Sequence, residues 1–594
     1  MSINSTKFQI QYCKQKQPAL YSFLKTPDLG KETRNNIEYT PLDLSSIQNY
    51  NPIYSIFFEM NESNYHNVTL NQKYKCVGPG QICLQENSDE VKDQHIFIKY
   101  APLLDPLRYL VGTYTDASYA LRILPSIPPN LETSAKLMRT NNASYIDNFF
   151  CYLSSQLLNH HDILHGIDYY GSALAIQSKF KFNAADDLDY LMQSDNFKNN
   201  RVITYEIESH EDPFSNFGSR KNKNRLILEN NEDIDKADID VLDIEVLDIE
   251  EMPTESCNEL EEVVFILTNN ESSDTVLNVA ESDSDSEIDM SDDEDNGDDG
   301  DDGEISENSH ETSDKDTDKD SDEETDEDSD EDSGEEENFA YIFNFPVQVI
   351  LLEKCKGTLD ELFVKNQIQD EHMANAILMQ IIMTLLAYQK AYHFTHNDLH
   401  TNNVMWNETD IPFLYYKFAN KIYKVPTYGK LFKIIDFGRS IYKFGGKTFC
   451  SDSFAPDGDA SSQYNFDPYF NEKKARLEPN YSFDLCRLGT SLYDFLFDEV
   501  GEPDKKKMDS FQRTIYRWTT DDEGRNVLYK KNGEERYPGF KLYKMIARLV
   551  HKHTPEAQLE LAPFNGYLLK NKDLKKEKRE PMIDIDLIPN YTIV

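Results

Sequence analysis

Two short runs of the chain carry oxygen-bearing side chains at a spacing that could do chemistry: HNDLHTNN at 396–403 and IIDFG at 434–438. Carboxylate and carboxamide oxygens are the hard ligands a magnesium ion prefers, and Asp436 with Asn403 would offer one of each. A carboxylate can also steer or accept the proton of a hydroxyl, which makes Asp398 the candidate for that step. Alone, an Asp-Phe-Gly is usually a turn and a His-x-Asp is usually loop chemistry. Here the two occur in order within the 43 residues from His396 to Gly438, flanked by an apolar helical pattern and a short strand pattern.

In that order, with Asp398 followed five positions later by Asn403, the runs resemble the catalytic loop and the metal-binding Asp-Phe-Gly of protein kinases. The resemblance implies that Asp398 orients an acceptor hydroxyl while Asn403 and Asp436 hold Mg2+ on ATP. HIFIKY (95–100) places Lys99 where the phosphate-pairing lysine of the third strand belongs; a surface lysine at a strand end is the bland alternative. FPVQVILLEKCKGTLDEL (345–362) resembles the fifth strand and hinge, which implies adenine pairing by the backbone near Glu353 to Cys355 and a ribose contact at Asp360. SFDLCRLG (482–489) resembles the start of the large-lobe helix whose aspartate, here Asp484, bonds the catalytic-loop backbone. VGPGQICL (77–84) offers Gly78 and Gly80 as a glycine-rich loop, and reads equally as a turn without phosphate contact.

KYAPLLDPLRYLVGTY, NASYIDNFFCYL, HGIDYYGS and the run from Asp452 to Gly489 narrow the resemblance to serine/threonine kinases of giant DNA viruses of the mimivirus type. That similarity implies a viral protein acting in the host cytoplasm or packaged in the virion.

The pattern also departs from the family. Cys83 stands where a third glycine belongs. The helix that should pair a glutamate with Lys99 has none near Tyr152, so Asp147 or Gln156 must substitute. Asn397 replaces the arginine that reads activation-loop phosphate, which argues against switching by that route. His400 replaces the usual lysine, as in small-molecule kinases. The separation of Asn403 from Asp436 far exceeds the compact-kinase spacing, so 407–430 is expected to loop out. Glu472 is the positional equivalent of the activation-segment glutamate.

The elements that must position these residues alternate first and turn helical later. Tyr54 to Met60 and His95 to Tyr100 read as strands. Ala143 to Asn159 reads as an amphipathic helix, Ile163 to Ile176 as extended chain broken at Gly171, Met373 to Tyr392 as a long helix, Leu431 to Ile435 as a strand, and Phe540 to His551 as a helix. The expected fold class is α+β, a bilobal protein-kinase-like fold with a β-rich N-lobe and a helical C-lobe. Its expected parts are an N-lobe with N-terminal extension (1–230), a disordered acidic insertion (231–338), a last N-lobe strand and hinge (339–357), and a C-lobe with catalytic loop and activation segment (358–594).

The formal net charge of −47 belongs to the insertion, where about 48 acidic residues face 3 basic ones between Asn231 and Glu337. Such a run cannot bury enough apolar surface to offset the entropy of ordering it. It reads as a solvated tether, with a docking role for a host or viral partner as the alternative. VVFIL at 263–267 resembles a SUMO-interacting motif, and a stray apolar run is the competing account. The negative potential argues against direct nucleic-acid binding there. Eight cysteines without CxxC pairs suggest neither a zinc site nor a disulfide framework. The start lacks a secretory signal pattern, and the most apolar stretch, Ala374 to Ala387, is too short and polar to span a bilayer. A soluble intracellular protein is expected, with no membrane partner.

The functional expectation is an ATP-dependent phosphotransferase, a serine/threonine protein kinase of unknown protein substrate. Its competitors are a catalytically weak pseudokinase scaffold and a small-molecule kinase of the aminoglycoside or choline type.

Overall fold

The structure, a computed structural model, describes residues 7–14, 24, 30–87, 89–185, 187–208, 338–497, 503–570 and 581–593. The acidic run, its VLDIE repeat and the VVFIL island lie outside the described residues.

Strands and helices mix, so the chain is α+β. The central strand is Phe339–Glu353. It pairs antiparallel with Tyr169–Asn183 along one edge, and with Ile96–Pro102 and Tyr205–Ile207 along the other; Leu44–Gln48 extends the sheet beyond Tyr169–Asn183. Successive side chains of a strand point to opposite faces. Val347, Val349 and Leu351 enter one core, while Ile350 and Leu352 enter another. Both faces are covered, which is why apolar residues occupy both faces of this segment and even Gln348 is buried. Gly171, at φ +126°, coincides with a register shift in its own strand, where Tyr169 and Gly171 face Leu352 and Leu351.

Helix Ala143–His161 crosses the second of these cores. Asn142 caps it through the Ser144 amide, and Asp162 ends it in the left-handed region. The expected amphipathicity is absent: Asp147, Asn148, Ser154, Ser155 and Gln156 are as buried as Phe149 and Tyr152, because packed elements surround the helix. Helix Glu371–Tyr392 runs through the same core, capped by Asp370 on the Met373 amide and closed by His393 at φ +50°. Among the described residues no helix is long and apolar enough to cross a membrane.

A further expectation about local structure fails. Tyr54 to Met60 is not a strand: Pro52 at the helix start and the Asn51 side chain accepting from the Ile53 amide set up a 3-10 helix at Pro52–Ile56 instead. Residues 407–430 leave the strand pair and return to it, with Glu408 opposite Lys430, as a folded hairpin and not as irregular chain. Phe413–Phe418 pairs antiparallel with Lys421–Pro426 around Ala419 and Asn420, both at positive φ, and Met582–Asp584 adds a third strand in parallel. The later half of the chain therefore carries sheet as well as helices.

Candidate functional site

Strand pairing brings the two sequence runs together. Val404–Glu408 lies antiparallel to Lys430–Ile434, with Val404 opposite Ile434 and the Ile435 amide donating to the Asn403 carbonyl at 3.0 Å. Asn403 thus ends just before one strand and Asp436 begins just after the other. Upstream, the loop is fixed from beneath. The buried Asp484 carboxylate accepts the amides of His396 and Asn397, each at 2.9 Å, the relationship implied by the resemblance. His396 in turn meets the Ile435 carbonyl through Nε2 at 2.9 Å.

Lys99 arrives from the sheet. It shares a face with Ala101, toward the core holding helix Ala143–His161. Its Nζ lies 2.6 Å from Asp147 Oδ2 and 2.8 Å from Asp436 Oδ1. Of the two substitutes for the missing glutamate, Asp147 makes the pair, while Gln156 is buried with neither amide atom hydrogen-bonded. Asp147 Oδ1 also accepts the Phe437 amide at 2.8 Å, so one buried carboxylate holds both the lysine and the Asp-Phe-Gly backbone.

The electrostatics follow from these contacts. Burial opposes charge on Lys99, but the Asp147 and Asp436 carboxylates outweigh it and its pKa is raised. Lys99 holds Asp436 down to about 2, against the opposing effect of burial and with help from His396 and His400. Half of the Asp436 side chain remains open to solvent. Asp147, only 2% exposed, is pushed up by burial despite Lys99. Asp436 is therefore the anionic, accessible member of the trio.

Asn403 commits its amide nitrogen, which donates to the Asp398 carbonyl at 2.9 Å and lies 3.0 Å from His400 Nε2. Burial lowers the His400 pKa, leaving a neutral ring that accepts at Nε2. The carboxamide oxygen of Asn403 is the atom left to face a cation. Asp398 is engaged on both oxygens: Tyr543 donates to Oδ1 at 2.7 Å, and Arg439 Nη1 lies 3.4 Å from Oδ2. Arg487 Nε donates to the same Tyr543 hydroxyl at 2.9 Å, and both guanidinium groups lie over its ring. Tyr543 and these arginines escaped the sequence reading, since nothing about FKLYKMIARL marks a tyrosine that reaches a loop 145 residues earlier.

The remaining candidates sit as follows. Glu353 turns its carboxylate to Lys433 at 2.5 Å and to the Asp168 amide at 2.8 Å, and Cys355 lies beside Asn407. Asp360 accepts from the Thr401 hydroxyl at 2.5 Å, tying the expected ribose contact to the loop that carries Asp398. Gly78 ends the first strand of a hairpin, Tyr74–Gly78 with Gln81–Leu84, opposite Gln81, and Pro79 and Gly80 form its turn, with Gly80 at φ +67°. Glu472 is exposed. The segment after Gly438 is held by other groups: Asn397 donates to the Arg439 carbonyl at 3.0 Å and accepts from Tyr464 at 2.8 Å, and Asp452 pairs with Lys136 at 2.6 Å and caps the Ala143 amide.

Chemically, the arrangement offers an ammonium against a solvent-facing carboxylate, with an amide oxygen at the start of the strand paired beside that carboxylate's own, its nitrogen tied to the Asp398 backbone carbonyl.

No protein-family model matches the sequence. Over 126 residues, 20% of this chain, it is 32% identical to serine/threonine-protein kinase haspin of Mus musculus, and equally to haspin of Bos taurus; the match covers 16% of each relative's length. Over 167 residues, 27% of the chain, it is 30% identical to uncharacterized protein 098R of Invertebrate iridescent virus 6, covering 25% of that protein. The chain thus bears a partial, kinase-like relation in sequence, confined to a fraction of its own length and of theirs.

Proposed function

We propose that the chain is an ATP-dependent serine/threonine protein kinase of bilobal fold, allied to those of mimivirus-type giant viruses, acting in the host cytoplasm or the virion. On this reading the described residues up to 208, with 339–357, are its N-lobe and hinge, and the described residues from 358 onward its C-lobe. The observation that carries this reading is the joining of Lys99 to Asp436 across 337 positions of sequence, with the Asn403 carbonyl accepting the amide of Ile435, the residue before Asp436. The partial likeness to haspin supports it.

The residues present fit ATP with magnesium: a raised-pKa lysine, a carboxylate held anionic and half open, and an amide oxygen freed by its own nitrogen's hydrogen bonds. Bound ATP would supply the phosphoryl group, and magnesium would offset its charge. Lys99, kept in place by Asp147, would hold phosphate oxygens. Asn403 and Asp436 would hold the metal, and Asp398 would orient the acceptor hydroxyl and take up its proton. The adenine and ribose would lie against Glu353 to Cys355 and Asp360.

A binding-only scaffold is favoured by one observation: the Tyr543 hydroxyl already occupies Asp398 Oδ1. Incubating purified protein with γ-labelled ATP, a generic protein acceptor and, separately, aminoglycoside or choline distinguishes the readings. Label on protein that disappears in Asp398→Asn supports the kinase. Label on metabolites alone, or on nothing, contradicts it.

A further inference from the structure

A second cavity, of about 580 Å3, opens between the first turn of helix Glu371–Tyr392, helix Ser510–Trp518 and residues 561–567, and shares no lining residue with the site above. Its size is that of small-molecule sites. Arg513 and Arg517 line it, four residues apart and hence on one face of their helix, where like charges repel. Among the described residues neither arginine has a carboxylate within ion-pair distance. The acid that acts on Arg513, Glu371, spends its Oε2 on the Ser510 amide at 2.7 Å and hydroxyl at 2.5 Å.

Two polar atoms there lack partners. Arg517 Nη2 donates to Gln558 at 3.1 Å, but its Nε is shut from solvent with no acceptor. Asn375, 4% exposed, donates to Ser510 Oγ at 2.8 Å, yet its Oδ1 is shut from solvent with no donor. Burial without a counter-anion lowers the Arg517 pKa. A guanidinium held without a counter-anion destabilises a fold unless an anion binds beside it, and sites that weaken a fold are commonly functional ones.

From this geometry we infer that the cavity is a binding site for an organic phosphate of metabolite size. Two guanidinium groups and the His372 imidazole suit a dianion with three terminal oxygens. Leu561, Pro563 and Tyr567 provide an apolar wall for its carbon skeleton.

Calorimetric titration of the full chain with O-phosphotyrosine, tyrosine and inorganic phosphate tests this. O-phosphotyrosine is expected to bind at least tenfold tighter than either other probe. Arg513→Gln and Arg517→Gln should each weaken it at least tenfold, and Asp436→Asn should leave it unchanged. Without ligand, Arg517→Gln should melt no lower than wild type, because it removes an uncompensated buried charge; a purely structural arginine would give a lower melting temperature. Absence of saturable binding, wild-type binding by either arginine variant, loss only in Asp436→Asn, or inorganic phosphate binding as tightly, meaning an adventitious ion only, would each overturn the inference.

Discussion

Lys99 and Asp147 meet at 2.6 Å, joining strand Ile96–Pro102 to helix Ala143–His161 at a position where the helix offers no glutamate. Aspartate is one methylene shorter than glutamate, so the pair requires the helix backbone to lie close to the strand. The burial of that helix on every face provides this approach. Because Asp147 also receives the Phe437 amide, the contact couples lysine, helix and metal-motif backbone in one buried group.

Replacing Asp147 should separate its two roles. Asp147→Ala orphans the buried Phe437 amide and should cost about 1–3 kcal/mol in urea unfolding. Asp147→Asn keeps an acceptor for that amide and should unfold near the wild-type midpoint, yet weaken ATP binding because Lys99 loses its buried counter-charge. Equal stability of all three proteins would show that the Phe437 contact carries no weight.

Tyr543→Phe retains the ring beneath Arg439 and Arg487 and deletes only the hydroxyl on Asp398. If that hydroxyl orients the carboxylate, kcat should fall roughly tenfold with the KM for ATP unchanged, the scale of a small misplacement of a reacting group. A rise in kcat would instead identify Tyr543 as a plug over Asp398.

That 396–403 and the Asp-Phe-Gly adjoin was legible because their residues are close in sequence and their spacing is set by local backbone geometry. The partner of Lys99 was narrowed only to Asp147 or Gln156, since helical periodicity gives the face of a helix but not how far along it the strand crosses. Tyr543 was invisible because its contact depends on how Lys541–Leu549 docks far along the chain. The hairpin within 407–430 had a readable signal, strand-forming residues on both sides of Ala419-Asn420, but the family comparison treated the segment only as excess length. Conversely, the strand pattern at Tyr54 to Met60 gave way to the proline and asparagine preceding it.

Acid should weaken the fold through His165. Its Nδ1 faces the Phe432 carbonyl at 2.7 Å and must carry the proton, while Nε2 lies 2.6 Å from the Tyr416 hydroxyl; burial depresses its pKa to about 4. The unfolded chain therefore takes up a proton near pH 6.5 that the folded chain refuses until near 4. Stability is full above pH 6.5 and is lost progressively as pH falls toward 4, by about 3 kcal/mol for this group. His161, depressed to about 4 by burial, adds in the same direction. Urea midpoints measured from pH 7 to 4 should flatten by one proton's worth in His165→Gln, and an unchanged slope would contradict this assignment.

Asp484→Asn replaces a two-oxygen acceptor with an amide whose NH2 must face the His396 or Asn397 N–H. A loss of about 1–3 kcal/mol is expected, with activity falling together with loop order in hydrogen exchange at 396–403. Wild-type protection of those amides would show that the loop holds without this anchor.

The convergence of Lys99, Asn403 and Asp436 on one nucleotide and its metal is most directly tested by calorimetric titration of ATP with and without magnesium. Tight binding should require magnesium, weaken at least tenfold in Lys99→Met and Asp436→Asn, and persist in Asp398→Asn. Magnesium-independent binding that survives Lys99→Met and Asp436→Asn, or no binding by the wild type, would contradict the account.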